Sequence, residues 1–185
     1  MKTLVFDQNE ITYDGTQLAP HWIYKKFDLL GNALVAFIGP GTVSLDHMVD
    51  ITDVKKKAPI YSPKMLHFLA EFFIDSFDQG ILMQHLFVAN VYEWLWERGV
   101  PNLSRRGNDI FVDGKKLSVS ICTKSPVSVL MHYAANIETE GTPVPTKGLL
   151  EIDVDPLGMA REIIARFTSE LIIVQTARAK ASARV

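Results

Sequence analysis

Apolar positions follow two rhythms along this chain, and the switches between them mark most of the elements it predicts. "KTLVFDQ" reads as a short strand, followed by a turn at Asp14-Gly15. "QLAPHWIYKKFDLLG" predicts a helix starting at Pro20, with Gly31 as its stop. The continuous apolar run Ala33 to Gly39, bounded by Asn32 and by Gly39-Pro40-Gly41, predicts a buried strand. "HMVDITD" alternates roughly and suggests another. Ser62 as N-cap and Pro63 at the first helical position then open a predicted helix, with Met65, Leu66, Leu69, Phe72 and Phe73 at three- and four-residue spacing. A second helix is expected from about Gly80 to Gly99, with Ile81, His85, Leu86, Ala89, Tyr92 and Trp96 on one stripe. Val88, Val91, Trp94 and Leu95 lie on its other side, which implies burial on more than one face. Gly99 is the stop and Pro101 follows.

The rhythm then shortens to two. "DIFV" and "KLSVSICT" flank Asp113-Gly114, a dipeptide that favours a two-residue hairpin turn, and "SVLMHYAANIE" reads as a third strand. After the Gly- and Pro-punctuated loop "TEGTPVPTKG", Asp155-Pro156 opens a last helix carrying Leu157, Ala160, Ile163, Ile164, Phe167 and Leu171. The basic tail 176–185, "TARAKASARV", is expected to fray. The order predicts an α+β domain over residues 1–175, with a mixed, largely antiparallel sheet flanked by helices.

Composition narrows the class. The 185 residues suit one domain with its own core, at 48% apolar and 22% charged. A net charge of −2 gives no general pull toward nucleic acid or anionic membrane, so neither is an expected partner. Cys122 alone makes no internal disulfide framework and suits a reducing cytoplasm. The first fifteen residues carry acids where a secretory signal has its apolar segment. The greasiest run, Ile81 to Trp96, is interrupted by Gln84, His85, Asn90 and Glu93 and is too short to span a bilayer. A soluble cytoplasmic protein is the expectation.

Candidate chemistry concentrates in "RRGNDIFVDGKKLSVSI". On its second strand Leu117, Val119 and Ile121 share one face, expected to meet the helices. Lys116, Ser118, Ser120 and Cys122 share the other, a line of small polar groups with room for a ligand. A half-exposed hairpin with a polar outer face accounts for the same alternation. On the third strand His132, Ala134 and Asn136 share a face; His132 reads as a hydrogen-bonded structural residue or as part of a binding surface. Asp46, His47, Asp50 and Asp53 could converge on a hard divalent ion if helical, although the spacing matches no standard metal motif and a turn-rich acidic loop is the plainer account. No protein-bound metal is expected. Cys122 with His132 could make a thiol nucleophile, or Cys122 could be a small core residue. "GPGT" at Gly39 lacks the Gly-Lys-Ser/Thr ending of a P-loop and reads as a sharp turn.

Laid out this way, "GNDIFVDGKKLSVSI" resembles the central motif of biotin and lipoate protein ligases: Asn-Asp before a strand, a short turn, a basic pair, and a strand beginning with lysine. The resemblance covers about residues 81–137. "HYAANI" is similar to a later strand of those enzymes. Over its whole length, through "YDGTQLAPHW", "DHMVDITDVKKKAPIYS", "KLSVSI" and "NIETEGTPVP", the chain resembles a family catalogued as domain of unknown function three hundred sixty-six, similar in fold to the class II aminoacyl-tRNA synthetase and biotin/lipoate ligase superfamily. The resemblance implies a ligase-like catalytic core, ATP with Mg as cofactors, a small carboxylate or nucleotide as ligand, and a homodimer as the superfamily's assembly. It implies Lys116 and Asp109 as catalytic residues, with Asn108, Ser118, Ser120, His132, Asn136, Arg105 and Arg106 binding substrate or nucleotide. Three departures stand out: Gly107 replaces a proline before Asn-Asp, "GPGTVSLDHMVDITD" has no arginine where those ligases carry an arginine loop over the adenylate, and Val119 replaces a glycine. Carboxylate activation or acyl transfer is the implied activity. A non-catalytic protein holding a nucleotide, cofactor or acyl group in the same cleft is the alternative.

Overall fold

The computed structural model describes residues 1–57 and 60–182. Five strands form the main sheet: β1 (Lys2–Phe6), β2 (Ala33–Val43), β3 (Ile60–Phe72), β7 (Ser118–Lys124) and β8 (Val129–Glu138). Their order is β1-β2-β3-β8-β7; β1 runs parallel to β2 and every other neighbouring pair is antiparallel. A small second sheet joins β4 (Leu103–Arg106), β5 (Asp109–Val112) and β6 (Lys115–Lys116). Among the described residues the α-helices are α1 (Trp22–Phe27), α2 (Ile51–Lys56), α3 (Phe77–Glu97) and α4 (Pro156–Lys180).

The long helices start where their caps dictate. Ser76 Oγ accepts from Gln79 N at the head of α3, and Asp155 accepts from Gly158 N ahead of Pro156 in α4. Both helices pack on one face of the sheet. Phe87 of α3 and Phe167 of α4 are fully buried there, against Phe68 and Tyr133 of the central strands. Each such phenylalanine contributes about 1.5–3 kcal/mol of burial free energy. The opposite face is covered by the segment between β1 and β2, around Tyr13, Ile23, Val35, Phe37 and Leu69.

Several expectations change. The helix expected from Ser62 is the central strand β3. Both its faces are buried, so its apolar run loses the alternation of an ordinary strand and fits a helical template equally well; pairing to β2 on one side and β8 on the other decides for strand. The strand expected at 47–53 is instead a 3-10 turn, Leu45–His47, followed by α2, capped by Asp50 accepting from Thr52 N and Asp53 N. The helix from Pro20 forms only at Trp22 and stops at Asp28, whose φ is 56°. The Asp113-Gly114 turn forms, with φ of 53° and 73°, but the arm after it divides. Lys115 and Lys116 stay in the small sheet, Leu117 belongs to neither, and β7 joins the main sheet. Helix α4 runs on to Lys180, so Thr176–Lys180 of the expected frayed tail are helical and exposed.

Candidate functional site

Dividing that arm turns the strand face over. Ser118 is fully buried and its Oγ accepts from Ile110 N at 3.2 Å. Ser120 Oγ accepts from Gln84 Nε2 of α3 at 2.8 Å, and Cys122 packs beneath Gly80 of the same helix. This line of small groups therefore packs under α3, while Val119 and Ile121, expected to meet the helices, are half-buried on the other side. The physical reason is Leu117: sitting at the junction between sheets, it breaks the period of two. Burial pushes the Cys122 thiol up to about 11, and Cys122 and His132 lie on opposite faces, so they form no nucleophile–base couple.

Lys116 and Asp109 do meet. Nζ lies 2.9 Å from Asp109 Oδ2, with about a quarter of each side chain exposed. The lysine backbone is pinned on both sides: it pairs with Phe111 of β5, its N–H donates to Pro145 O, and its carbonyl accepts from Lys147 N. Asn136 Nδ2 donates to the carbonyls of Lys116 and Leu117 at 3.3 and 3.1 Å, tying this corner to β8. Asn108 is committed elsewhere, its Nδ2 donating to Ser120 O at 2.7 Å. Arg105 donates to Gly107 O and to His85 on α3, and Arg106 lies over the Phe111 ring at 5.2 Å. Arg105 is thus held toward α3, whereas Arg106 lies across from Asp109 on the face that also carries Phe111 and Lys116.

Along β8 from Asn136, the same face carries Ala134 and then His132, about 13 Å away at the strand's rise. Here lies what the sequence reading missed. His132 Nε2 is 3.1 Å from His67 Nδ1, and His67 Nε2 is 3.1 Å from Gly39 O. A carbonyl only accepts, so His67 carries its proton on Nε2, its Nδ1 accepts, and His132 donates from Nε2. The hydrogen-bonded order runs from His132 to His67 to Gly39. Tyr13 stacks on His132 at 3.7 Å between ring centroids and 6° between planes, and Phe37 stacks on His67 at 5.0 Å. Tyr13 gets there because Ile11 N donates to Ile38 O and Tyr13 N to Pro40 O, laying residues 11–13 along β2 where β1 has ended. Glu71, 2% exposed, ties down the covering segment by accepting from His21 N, and also accepts from Ser128 Oγ in the turn between β7 and β8.

Both imidazoles are held neutral. Burial lowers His67 from its ordinary 6.5 to about 4; burial, and then the neighbouring His67, push His132 well below its usual value. The unfolded chain thus takes up protons near pH 6.5 while the folded one resists. Stability should be fully present above that pH and fall as the pH drops from about 6.5 toward 4. The His67 shift alone corresponds to about 3 kcal/mol. Denaturant unfolding at pH 7, 5.5 and 4.5 checks this, and a flat profile across that window would contradict the buried neutral pair.

The acidic group at 46–53 does not assemble. Asp50 caps α2, His47 Nδ1 lies 3.2 Å from Asp14 O, and among the described residues no three His, Cys, Asp or Glu side chains are placed to hold a metal ion. A cleft of about 810 Å³ opens between the C-terminus of α3 and the N-terminus of α4, but none of the expected site residues lines it. Its cations are already paired, Arg98 with Glu162 and Lys147 with Asp113 and Glu151. No helix among the described residues is long and apolar enough to cross a membrane.

Comparison with known proteins identifies the family and the fold. The family model described as Domain of unknown function (DUF366) matches residues 1–182. A structure of a protein of unknown function from Pyrococcus horikoshi is 35% identical, covers 100% of this chain and 99% of its own, and superposes with a TM-score of 0.95. The Aquifex aeolicus biotin protein ligase in complex with biotin and ATP is 15% identical over 92% of this chain and 70% of its own, with a TM-score of 0.59. A T. acidophilum protein with bound lipoic acid is also 15% identical, over 92% and 85%, with a TM-score of 0.58. The α+β fold with its mixed sheet is that of the biotin and lipoate ligases, as the sequence resemblance implied.

Proposed function

We propose, from the premise that this chain belongs to the DUF366 family, that the Lys116 corner binds a small carboxylic acid and activates it with ATP. The observation that carries this is the Lys116–Asp109 pair, held at 2.9 Å on a backbone bonded from both sides. About a quarter of each side chain remains in water, so the ammonium is open to an arriving anion that competes with the aspartate for it. Asp109 keeps the ammonium in place until then. In carboxylate activation, acid oxygen attacks the α-phosphorus of ATP and pyrophosphate leaves; Lys116 would stabilise the charge gathering on the phosphoryl oxygens. Support also comes from a ligase of this fold that binds biotin and ATP. For Mg, one oxygen of Asp109 is on Lys116 and no three acidic, thiol or imidazole side chains converge among the described residues, so ATP would bring the ion with its own phosphates.

A specific observation favours the second reading, a protein that binds nucleotide, cofactor or acyl group without turning it over: residues 39–53 contain no arginine, leaving Lys116 without cationic help there. One experiment separates the two. The protein is incubated with ATP, labelled pyrophosphate and a panel of carboxylic acids, and binding is measured alongside. Acid-dependent exchange of label into ATP is expected. Binding without exchange selects the second reading, and no binding of any acid or nucleotide sinks both.

A further inference from the structure

The outward face of the small sheet carries an aromatic ring that neither core uses. Leu103, Arg105, Ile110 and Val112 alternate inward, toward α3 and the buried cluster beside it. Ser104, Arg106, Asp109, Phe111 and Lys116 alternate outward. Among the described residues Phe111 packs against neither hydrophobic cluster, and yet its side chain is half-buried. Its neighbours across the ladder are Ser104 on one side and Lys116 on the other, and the Arg106 guanidinium lies over its ring at 5.2 Å. Polar arms, not core, shield it. Arg106 is exposed and makes no ion pair among the described residues. Asp109 stands directly opposite Arg106 in the ladder but gives its carboxylate to Lys116. The face thus holds two cations to one acid, with one cation over the ring and the other beside it.

Given a nucleotide at the Lys116 corner, the reading on which this rests, we infer that Phe111 is the platform for its base and that Arg106 closes over that base. A phenyl ring that belongs to no core is covered well by another flat ring, which removes its face from water. A guanidinium is planar and stacks on rings, so Arg106 can lie on the far side of the base as it now lies over Phe111. Lifting it breaks no ion pair. Lys116 is the direct cross-strand neighbour of Phe111, about 5 Å away at the strand spacing. That sets the ammonium beside the platform, where phosphates joined to the base through the sugar would reach it. An inorganic phosphate chain brings charge for Lys116 and nothing to stack on Phe111. The ring therefore selects a nucleotide.

The test measures binding of ATP and of inorganic tripolyphosphate, each with Mg, to the full chain by calorimetry. Phe111→Ala should lower ATP affinity about tenfold or more and leave tripolyphosphate unchanged. Phe111→Leu keeps the apolar bulk, in case alanine unsettles the small sheet, and should show most of the same loss. Phe111→Trp should retain ATP binding, with the emission of the added indole quenched by ATP and not by tripolyphosphate. Arg106→Ala should weaken ATP about fivefold, and Arg106→Lys should restore little, because an ammonium keeps the charge without the flat face. Circular dichroism and thermal melts check that each variant is folded. Phe111 variants that lose both ligands alike, or that bind ATP as the native protein does, overturn the platform and leave the Lys116 reading standing. A native protein that binds neither ligand overturns both.

Discussion

Lys116→Ala is expected to lower acid-dependent exchange, or ligand affinity if no exchange occurs, by about a hundredfold or more while leaving the melting temperature nearly unchanged. The side chain is about 29% exposed and Asp109, its one ion-pair partner, keeps about a quarter of its side chain in water to solvate the carboxylate once the lysine is gone. What holds the corner together is backbone: the Phe111 pairing, the Pro145 and Lys147 hydrogen bonds and the Asn136 amide all survive the substitution. Lys115, exposed in the same two-residue strand, is the internal control, and Lys115→Ala should change neither quantity. A large loss of stability with ligand binding retained would make Lys116 structural.

Gly39→Ala should act in the opposite way, on the fold first, by about 3 kcal/mol or more. A methyl group there would lie 2.1 Å from Ile11 O and 2.6 Å from Ile11 C, both backbone atoms that cannot swing aside. The conformation itself is ordinary; closeness is the problem. Relief requires residues 11–13 to lift off β2, breaking the Ile11–Ile38 and Tyr13–Pro40 hydrogen bonds and withdrawing the Tyr13 ring from His132. Amide hydrogen exchange of the Gly39→Ala protein should show residues 11–13 losing protection before the α3 and α4 core does. Native-like protection of both regions would show that the sheet absorbs the methyl.

How much of this was legible depended on whether one local rule governed each segment. Strand β2, helices α3 and α4 and the Asp113-Gly114 turn each follow a single rule and were readable. Strand β3 was not, because long-range pairing chose between two templates that its apolar run fits alike. A signal was present: at alternate positions Met65, His67, Leu69 and Glu71 hold the segment's two buried ionisable groups, while Leu66, Phe68, Ala70 and Phe72 are purely apolar. Taking the segment as a helix hid His67, and with it the partner of His132. For the site, Lys116 and Asp109 came together as the motif suggested, because a turn and two short strands fix their separation locally. Ser118 and Ser120 went to the wrong face because alternation was carried through Leu117, where the chain changes sheets.

The Asn108 amide has a consequence beyond the place it occupies. Strand β7 lies at the edge of the main sheet, and Asn108 takes the carbonyl of Ser120, in the middle of that edge. A neighbouring chain laid against β7 would find that acceptor filled, with β5 crossing just beside it. The sheet is thereby closed to growth in that direction, which guards a crowded solution of this protein against edge-to-edge aggregation.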